Sequence, residues 1–485
     1  MNILYKHLQL IFLIFIIVIF TSSCIGNIGE LSGLLSGHGG SIYYVSPEGN
    51  NNSSGNRENP WATPGYASRQ LEPGDTLIIL GGEYKVDNQT AYQLKPPSGS
   101  SSSWITIKGE AGNRPILKGR DNCTAVIDLS GKSFVQIENL EITNDEGSTV
   151  QCGIKVVGGV VQNLIFKDLF IHHIDGNGII MADAYGIELR KCTIEYCGRE
   201  AMVGKNFQGD GWNRVIIQDS HFAFSGHYPS VKKQQTEQPL DGLRIESSVG
   251  PVEINNSVFE NNQGNGVYSK AKVNRISQCI VDNNKENGIV IGGEEGTIIN
   301  SLIYGISGKN PGELTGSGIL IDEITKENAV FKVINVTVDN YKGSQGSPLK
   351  VGEASQSGQT GEFLLKNSII FCGSQPVIID ENITFKASHN LIYQPEGKPI
   401  LKLGTKEYTA EELKMANLID GFLSTDPLFV SPSRGKNGGY HIQENSPARN
   451  AGTSDDAPSI DLVGKSRPQG EGYDLGAYEF EEKIN

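Results

Sequence analysis

The chain has 485 residues, 59 of them glycine, about 12% where a usual protein has ~7%, with 37% apolar and 20% charged residues. No Gly-X-Y period runs through the glycines, which excludes collagen, and the apolar content excludes a disordered chain. The formal charge of −14 becomes −15 once Lys6 leaves with a cleaved leader (40 Lys+Arg against 55 Asp+Glu), a poor match to nucleic acid, so a large, turn-rich β protein remains.

In chain order, residues 1–23 read as an export signal: Lys6 and His7 precede the uncharged stretch Leu8 to Phe20, too short to span a bilayer, and Thr21, Ser22 and Ser23 follow. With Cys24 next, the segment resembles a bacterial lipoprotein signal, although Thr21 stands where that signal usually has Leu. The resemblance implies lipidation of Cys24 and anchoring at the cell surface or in the periplasm, the alternative being simple secretion. Residues 25–40, rich in Gly and Ser, read as a flexible tether.

Residues 41–133 are expected to form an N-terminal cap and first coils, with strands at 42–47, 74–80, 104–109 and 115–119 and a short helix near 64–71. From 134 to 384 the pattern apolar-x-Asn/Asp-x-x-apolar recurs around Asn139, Asp168, Lys191, Asp219, Asn256, Gln278, Asn300, Asn335 and Asn367. The shortest spacing is 22 residues, and longer ones are that unit plus an inserted loop. A second element keeps the same beat, from Gly153-Ile154 through Gly242-Leu243 and Gly266-Val267 to Pro376-Val377. Two strands around an Asn corner, a turn and a Gly-introduced third strand make one rung of an all-β parallel β-helix, in which each strand pairs with its counterpart one coil away. Asn tolerates the left-handed conformation a corner needs, so most of these residues require no function. Residues 385–485 are expected to form a C-terminal cap: Thr409 and Glu412 make a capping box opening a short helix, and the turn-rich segment 421–480 closes the stack.

The opening "YYVSPEGN", "NPWATPGYA", "PGDTLIILGGEY" and "WITIKGEAGNRPILKG", the 22-residue coils and the terminal "SPARNAGT" and "YDLGAYEF" resemble secreted bacterial right-handed parallel β-helix proteins related to family 9 polysaccharide lyases. The resemblance covers residues 41–480 and implies a single-stranded right-handed solenoid, expected to be monomeric. It is specific for fold and weak for substrate.

Seven cysteines in an exported chain raise the question of disulfides. Cys192 and Cys279 share a turn position three coils apart, about 14 Å, and Cys152 and Cys197 lie two coils apart, about 10 Å, both too far to bridge. Buried free thiols are expected, with neither a disulfide framework nor a cysteine metal site.

The two longest insertions, "SGHYPSVKKQQTEQP" after Asp219 and "KNFQGDGW" after Met202, flank the Gly-introduced sheet and should wall a groove over it. With Leu243, Val267 and Ile289 pointing inward, alternation puts Lys205, Glu246 and Lys270 in one outward row and Arg244 beside Tyr268 in the next. Such a row suits β-elimination on a uronate polymer, where Lys270 or Lys205 would serve as base, Arg244 would bind the carboxylate, and Tyr268 would donate a proton or stack on sugar. Trp212, His227, Tyr228, Lys232 and Lys233 would contact flanking sugars. An exposed Lys/Glu/Lys row is also what a solvated cross-strand salt-bridge ladder looks like.

The family carries Asp-Gly-aromatic-x-x-Lys on this kind of strand, with Asp residues on Ca²⁺ and the Lys as base. Here Asp241-Gly242-Leu243-Arg244-Ile245-Glu246 keeps the Asp-Gly but has Glu246 in the Lys position, whereas Asn265-Gly266-Val267-Tyr268-Ser269-Lys270 has the Lys but Asn for Asp. The resemblance leaves a sparse calcium set, Asp241 with Asp210 or Glu237. The expected function is therefore an exported lyase acting on an acidic polysaccharide. The alternatives are a non-catalytic glycan-binding surface protein and a glycoside hydrolase, for which Glu246 and Asp322 lie about 14 Å apart, too far for a catalytic pair, leaving Asp210 or Glu237 to partner Glu246.

Overall fold

The computed structural model describes residues 40–481 apart from 90–91, 160, 207–208, 229–239, 307–315, 341–345, 353–359 and 432–438. Among these residues the chain winds as a right-handed parallel β-helix whose three sheets hold 13, 12 and 12 strands. From Ile105 to Leu403 each of eleven coils contributes one strand to each sheet. All nine expected corners between the first and second sheets are left-handed, with φ between 45° and 54°, and His389 (φ 53°) adds a tenth. Few residue types accept that conformation cheaply, which is why Asn and Asp recur there.

In the third sheet, Ile154, Ile179, Met202, Leu243, Val267, Ile289, Ile319 and Leu349 are register partners in successive coils, as the repeat predicts. All eight are buried. The glycines that introduce these strands answer to space: a Cβ on Gly178 would lie 2.5 Å from the Ala201 carbonyl oxygen, and one on Gly288 would lie 2.5 Å from that of Gly318. The interior is a continuous column of Ile, Leu and Val with stacked aromatics such as Phe222 on Phe259 (4.9 Å). Each fully buried side chain of this size contributes about 1.5–3 kcal/mol.

The helix Pro64–Arg69 sits at the N-terminal end. The first strand, Ile42–Val45, has its free edge covered by residues 55–61: the Tyr44 N–H donates to the Gly55 carbonyl, and Trp61 N–H donates to that of Tyr44. That edge is therefore closed to pairing with another chain. At the other end the helix Ala410–Ala416 carries the expected Thr409/Glu412 capping box and buries Leu413 against the core.

The segment beyond it first lies on the last coil, with Asp420 and Leu423 as parallel partners of Ser388 and Leu391, and then leaves the stack. It folds back along the outside of the second sheet, where Phe429, Tyr440, Ile442, Leu475 and Tyr478 pack on Leu302, Tyr304, Ile369, Phe371 and Leu391. The corner ladder bonds this segment as well as itself. Asn300 and Asn335 donate to the carbonyls of Ile460 and Asp474, whereas Asn256 donates to Asp219 at 2.6 Å. The reason is chemical: the outer face of the last coils is apolar, and the returning chain removes it from water.

The six described cysteines are all free and buried, and burial pushes their thiols up, to about 11 for Cys123 and about 12 for Cys192. Cys24 lies outside the described residues.

Candidate functional site

The strands Met202–Lys205 and Leu243–Ser248 of the third sheet carry an open groove of about 560 Å³ on their outer face. Lys205, Arg244 and Glu246 line it, as the alternation predicts, joined by Asn177, Arg199, Glu200, Val203, Asn206 and Ser247. The loop after Met202 forms one wall, with Asn206 Nδ2 donating to the Ser247 carbonyl at 3.1 Å and the Val249 N–H donating to that of Asp210 at 2.9 Å.

Arg244 is held from three sides. Its Nε donates to Glu246 at 2.8 Å, its Nη1 donates to Asp241 at 3.2 Å, and its guanidinium lies 4.4 Å from the Tyr268 ring centroid. Burial works against its charge, but Asp241 and Glu246 more than offset that and raise its pKa. The guanidinium is therefore a fixed cation at the groove, with 17% of its side chain exposed. Lys205 makes no ion pair among the described residues, although it lines the same groove.

The row expected from strict alternation breaks at Lys270. Val203, Arg244 and Tyr268 are register partners, but the pairing of Leu243–Ser248 with Val267–Ala271 shifts by one residue after Ile245, so Glu246 turns to Arg244 instead of Lys270. Lys270 reaches the other way, over the side-chain-free Gly292, to Glu323 at 2.6 Å. Burial acts to lower its pKa, yet Glu323 and Tyr268 outweigh burial and raise it, and Lys270, committed to Glu323, is not among the residues that line this groove. Tyr268 has one face occupied by Arg244, and burial pushes its hydroxyl up.

Asp241, expected in the calcium set, is fully buried, and both of its oxygens are hydrogen-bonded. Its Oδ1 accepts from the backbone and side-chain N–H groups of Asn265 (2.7 and 2.8 Å), and its Oδ2 accepts from Arg244. Asn287 bonds Asn265 in the same way one coil on, so Asp241 heads an amide ladder beneath the groove. Asp210 is an exposed loop residue, Glu237 lies outside the described residues, and no group of three His, Cys, Asp or Glu that could hold a metal occurs among the described residues. Among the described residues, no set of oxygen ligands for calcium is assembled at this groove.

Burial pushes Asp241 up to about 6, with Asn265 and Arg244 holding it below what burial alone would give and Glu200 adding to the rise. A carboxyl whose folded pKa is raised stabilises the fold fully below its unfolded value of about 3.9, and that contribution is lost as pH rises through about 6. Two units correspond to roughly 3 kcal/mol at most. Asp241→Asn, which installs the residue found one coil later, is expected to flatten unfolding stability across that window. Chemical denaturation at pH 4, 5, 6 and 7 checks it, and a slope unchanged from the parent would refute it.

Trp212 does not face sugar. It begins the strand Trp212–Gln218 and is fully buried, its indole lodged where Gly204 leaves room: a Cβ there would sit 2.5 Å from the ring. The glycine in "AMVGK" was the available signal. His227 and Tyr228 pack edge-on against Phe224 and His173, members of a stack with Tyr196 at the corner between the second and third sheets, so they anchor the start of the long loop. Lys232 and Lys233 lie outside the described residues.

Sequence reasoning missed Asn177, Arg199 and Glu200, which precede the Gly-introduced strands. Glu200 is 5% exposed, accepts from Asn177 Nδ2 at 2.7 Å and pairs with Arg199 at 3.7 Å. Their signal was register: Asn177, Glu200 and Asp241 occupy one position in three successive coils.

A comparison with protein families bears on the first half of this groove. Residues 43–212 match the family model described as "Pel9A-like, right handed beta helix region". The match agrees with the right-handed parallel β-helix seen in this stretch. It spans about a third of the chain and includes Asn177, Arg199, Glu200 and Lys205, while Arg244 lies beyond it.

Among curated proteins, the chain is 22% identical over 238 residues to a lacto-N-biosidase of Bifidobacterium longum subsp. longum, covering 37% of this chain and 14% of that one. It is 26% identical over 147 residues to the uncharacterized protein YwoF of Bacillus subtilis, covering 28% and 29%. The chain thus spans less than a third of either relative's length. Among solved structures, XylC in complex with xylose superposes over 91% of this chain and 99% of its own at 10% identity with a TM-score of 0.56, which shows the shared fold. Pectate lyase Pel9A covers 92% and 98% at 14% identity with a TM-score of 0.49.

Proposed function

We propose that this protein is carbohydrate-active and cleaves an acidic, uronate-containing polysaccharide by β-elimination in the groove on the third sheet. The observation that carries the proposal is the pairing of an uncommitted amine, Lys205, with a guanidinium fixed in place, Arg244, on one groove surface. In the reaction, the Lys205 amine takes the proton on the carbon bearing the carboxylate, the electron pair forms a carbon–carbon double bond, and the glycosidic oxygen on the β-carbon leaves and takes a proton from water. Arg244 and Arg199 would offset the charge that builds on the carboxylate in the transition state. The exported state, the lipid anchor at Cys24 and the monomeric state belong to the same proposal.

A second reading, hydrolysis, is favoured by one observation: two carboxylates, Glu200 and Glu246, line the groove, as a glycosidase requires. One assay separates the readings. The protein is incubated with polygalacturonate, alginate and glycosaminoglycans while unsaturated-uronate absorbance and reducing ends are followed together. Growth of both supports elimination, and reducing ends without absorbance support hydrolysis. Retention on a glycan column with neither product would replace catalysis by binding alone.

A further inference from the structure

Asp175 carries the one buried carboxylate oxygen without a hydrogen-bond partner among the described residues. The residue is 2% exposed and makes no ion pair among those residues. Its Oδ2 accepts from the Val150 N–H at 2.7 Å and from Asn144 Nδ2 at 2.9 Å, and its Oδ1 faces no donor. Asn144 Oδ1 is likewise buried and unpartnered. The amide cannot be turned to relieve this, because Nδ2 also donates to the Ser148 carbonyl at 2.9 Å and approaches the Tyr228 hydroxyl at 3.4 Å. A flip would set oxygen against oxygen.

A buried carboxylate without a counter-charge is costly, and so is an orphaned amide oxygen. Two hydrogen-bonded side chains of neighbouring coils here each withhold one oxygen from any donor. Oxygen-only ligation by one carboxylate and one amide is the donor chemistry of a hard metal cation. We infer that Asp175 Oδ1 and Asn144 Oδ1 bind such a cation at the corner between the second and third sheets. The ion neutralises Asp175 and completes its shell with water. The inference is independent of the proposed lyase reaction. The ion would, however, brace the corner two residues before Asn177 enters the groove.

The test strips the purified protein with chelator and titrates CaCl₂, MgCl₂ and KCl separately by calorimetry and thermal unfolding. One of these salts is expected to give saturable one-to-one binding and to raise the Tm by several degrees. Asp175→Asn should weaken that binding at least tenfold, and it should fold, because the amide keeps the shape of the side chain and an oxygen to accept from the Val150 N–H and Asn144 Nδ2. Asn144→Ala should weaken the binding as well. If no salt binds, a water donating to both oxygens explains the site and the inference falls. It falls equally if a salt binds and Asp175→Asn binds it as tightly as the parent.

Discussion

Arg467→Ala is expected to destabilise the C-terminal segment by about 3–5 kcal/mol, the largest single-residue effect anticipated for the fold. Arg467 and Glu479 are both fully buried and meet at 2.6 Å, and the guanidinium also donates to the carbonyls of Asp474 and Gly476. Burial lowers the Arg467 pKa and raises that of Glu479, so each partner is held charged chiefly by the other and by its hydrogen bonds. Removing the cation leaves a buried carboxylate without its counter-charge, held only by the backbone N–H groups of Gln469 and Asp474. The same residues tie the segment to the solenoid, since Gly476 N–H donates to Asn367 and Ala477 N–H to Thr337. Limited proteolysis should therefore cut between 440 and 480 first, leaving the coils intact. The double change Arg467→Met with Glu479→Leu should recover much of the loss, because an apolar pair avoids the desolvation cost. A single variant as stable as the parent would show that the pair does not hold the segment.

Lys205→Ala should reduce unsaturated-uronate production by about 100-fold or more, the range expected when a general base is removed. Stability should stay within about 0.5 kcal/mol of the parent, because Lys205 has no ion pair to lose among the described residues. Arg244→Ala should also impair turnover, but with a structural cost, since Asp241 and Glu246 lose their shared cation. Lys386→Ala, on the first sheet and paired with Glu362, serves as the control and should leave turnover unchanged. Undiminished elimination in Lys205→Ala would remove this residue from the base role.

The coil architecture could be read from sequence because it obeys two strict local demands. A corner residue must adopt positive φ, and a Gly-introduced strand must approach the next coil closely, so both leave residue types at fixed intervals. The parts of the groove that follow from alternation, Lys205, Arg244 and Glu246, were legible for the same reason. What escaped depends on contacts between residues far apart in sequence or on a single added residue. One register shift after Ile245 and the empty space over Gly292 send Lys270 to Glu323. The burial of Trp212 is set by the absent side chain of Gly204. The return of the chain after Leu423 along the second sheet depends on an apolar outer face that a two-residue period cannot distinguish from an inner one.

The claim on which the account rests is that acidic glycan occupies the groove between Arg199 and Ser247. Amide hydrogen exchange with and without saturating uronate oligosaccharide tests it directly. Slowed exchange concentrated in peptides covering 199–206 and 243–248 is the predicted result, whereas unchanged exchange there, or protection confined to the outer face of the second sheet at 170–174 and 193–197, would contradict it.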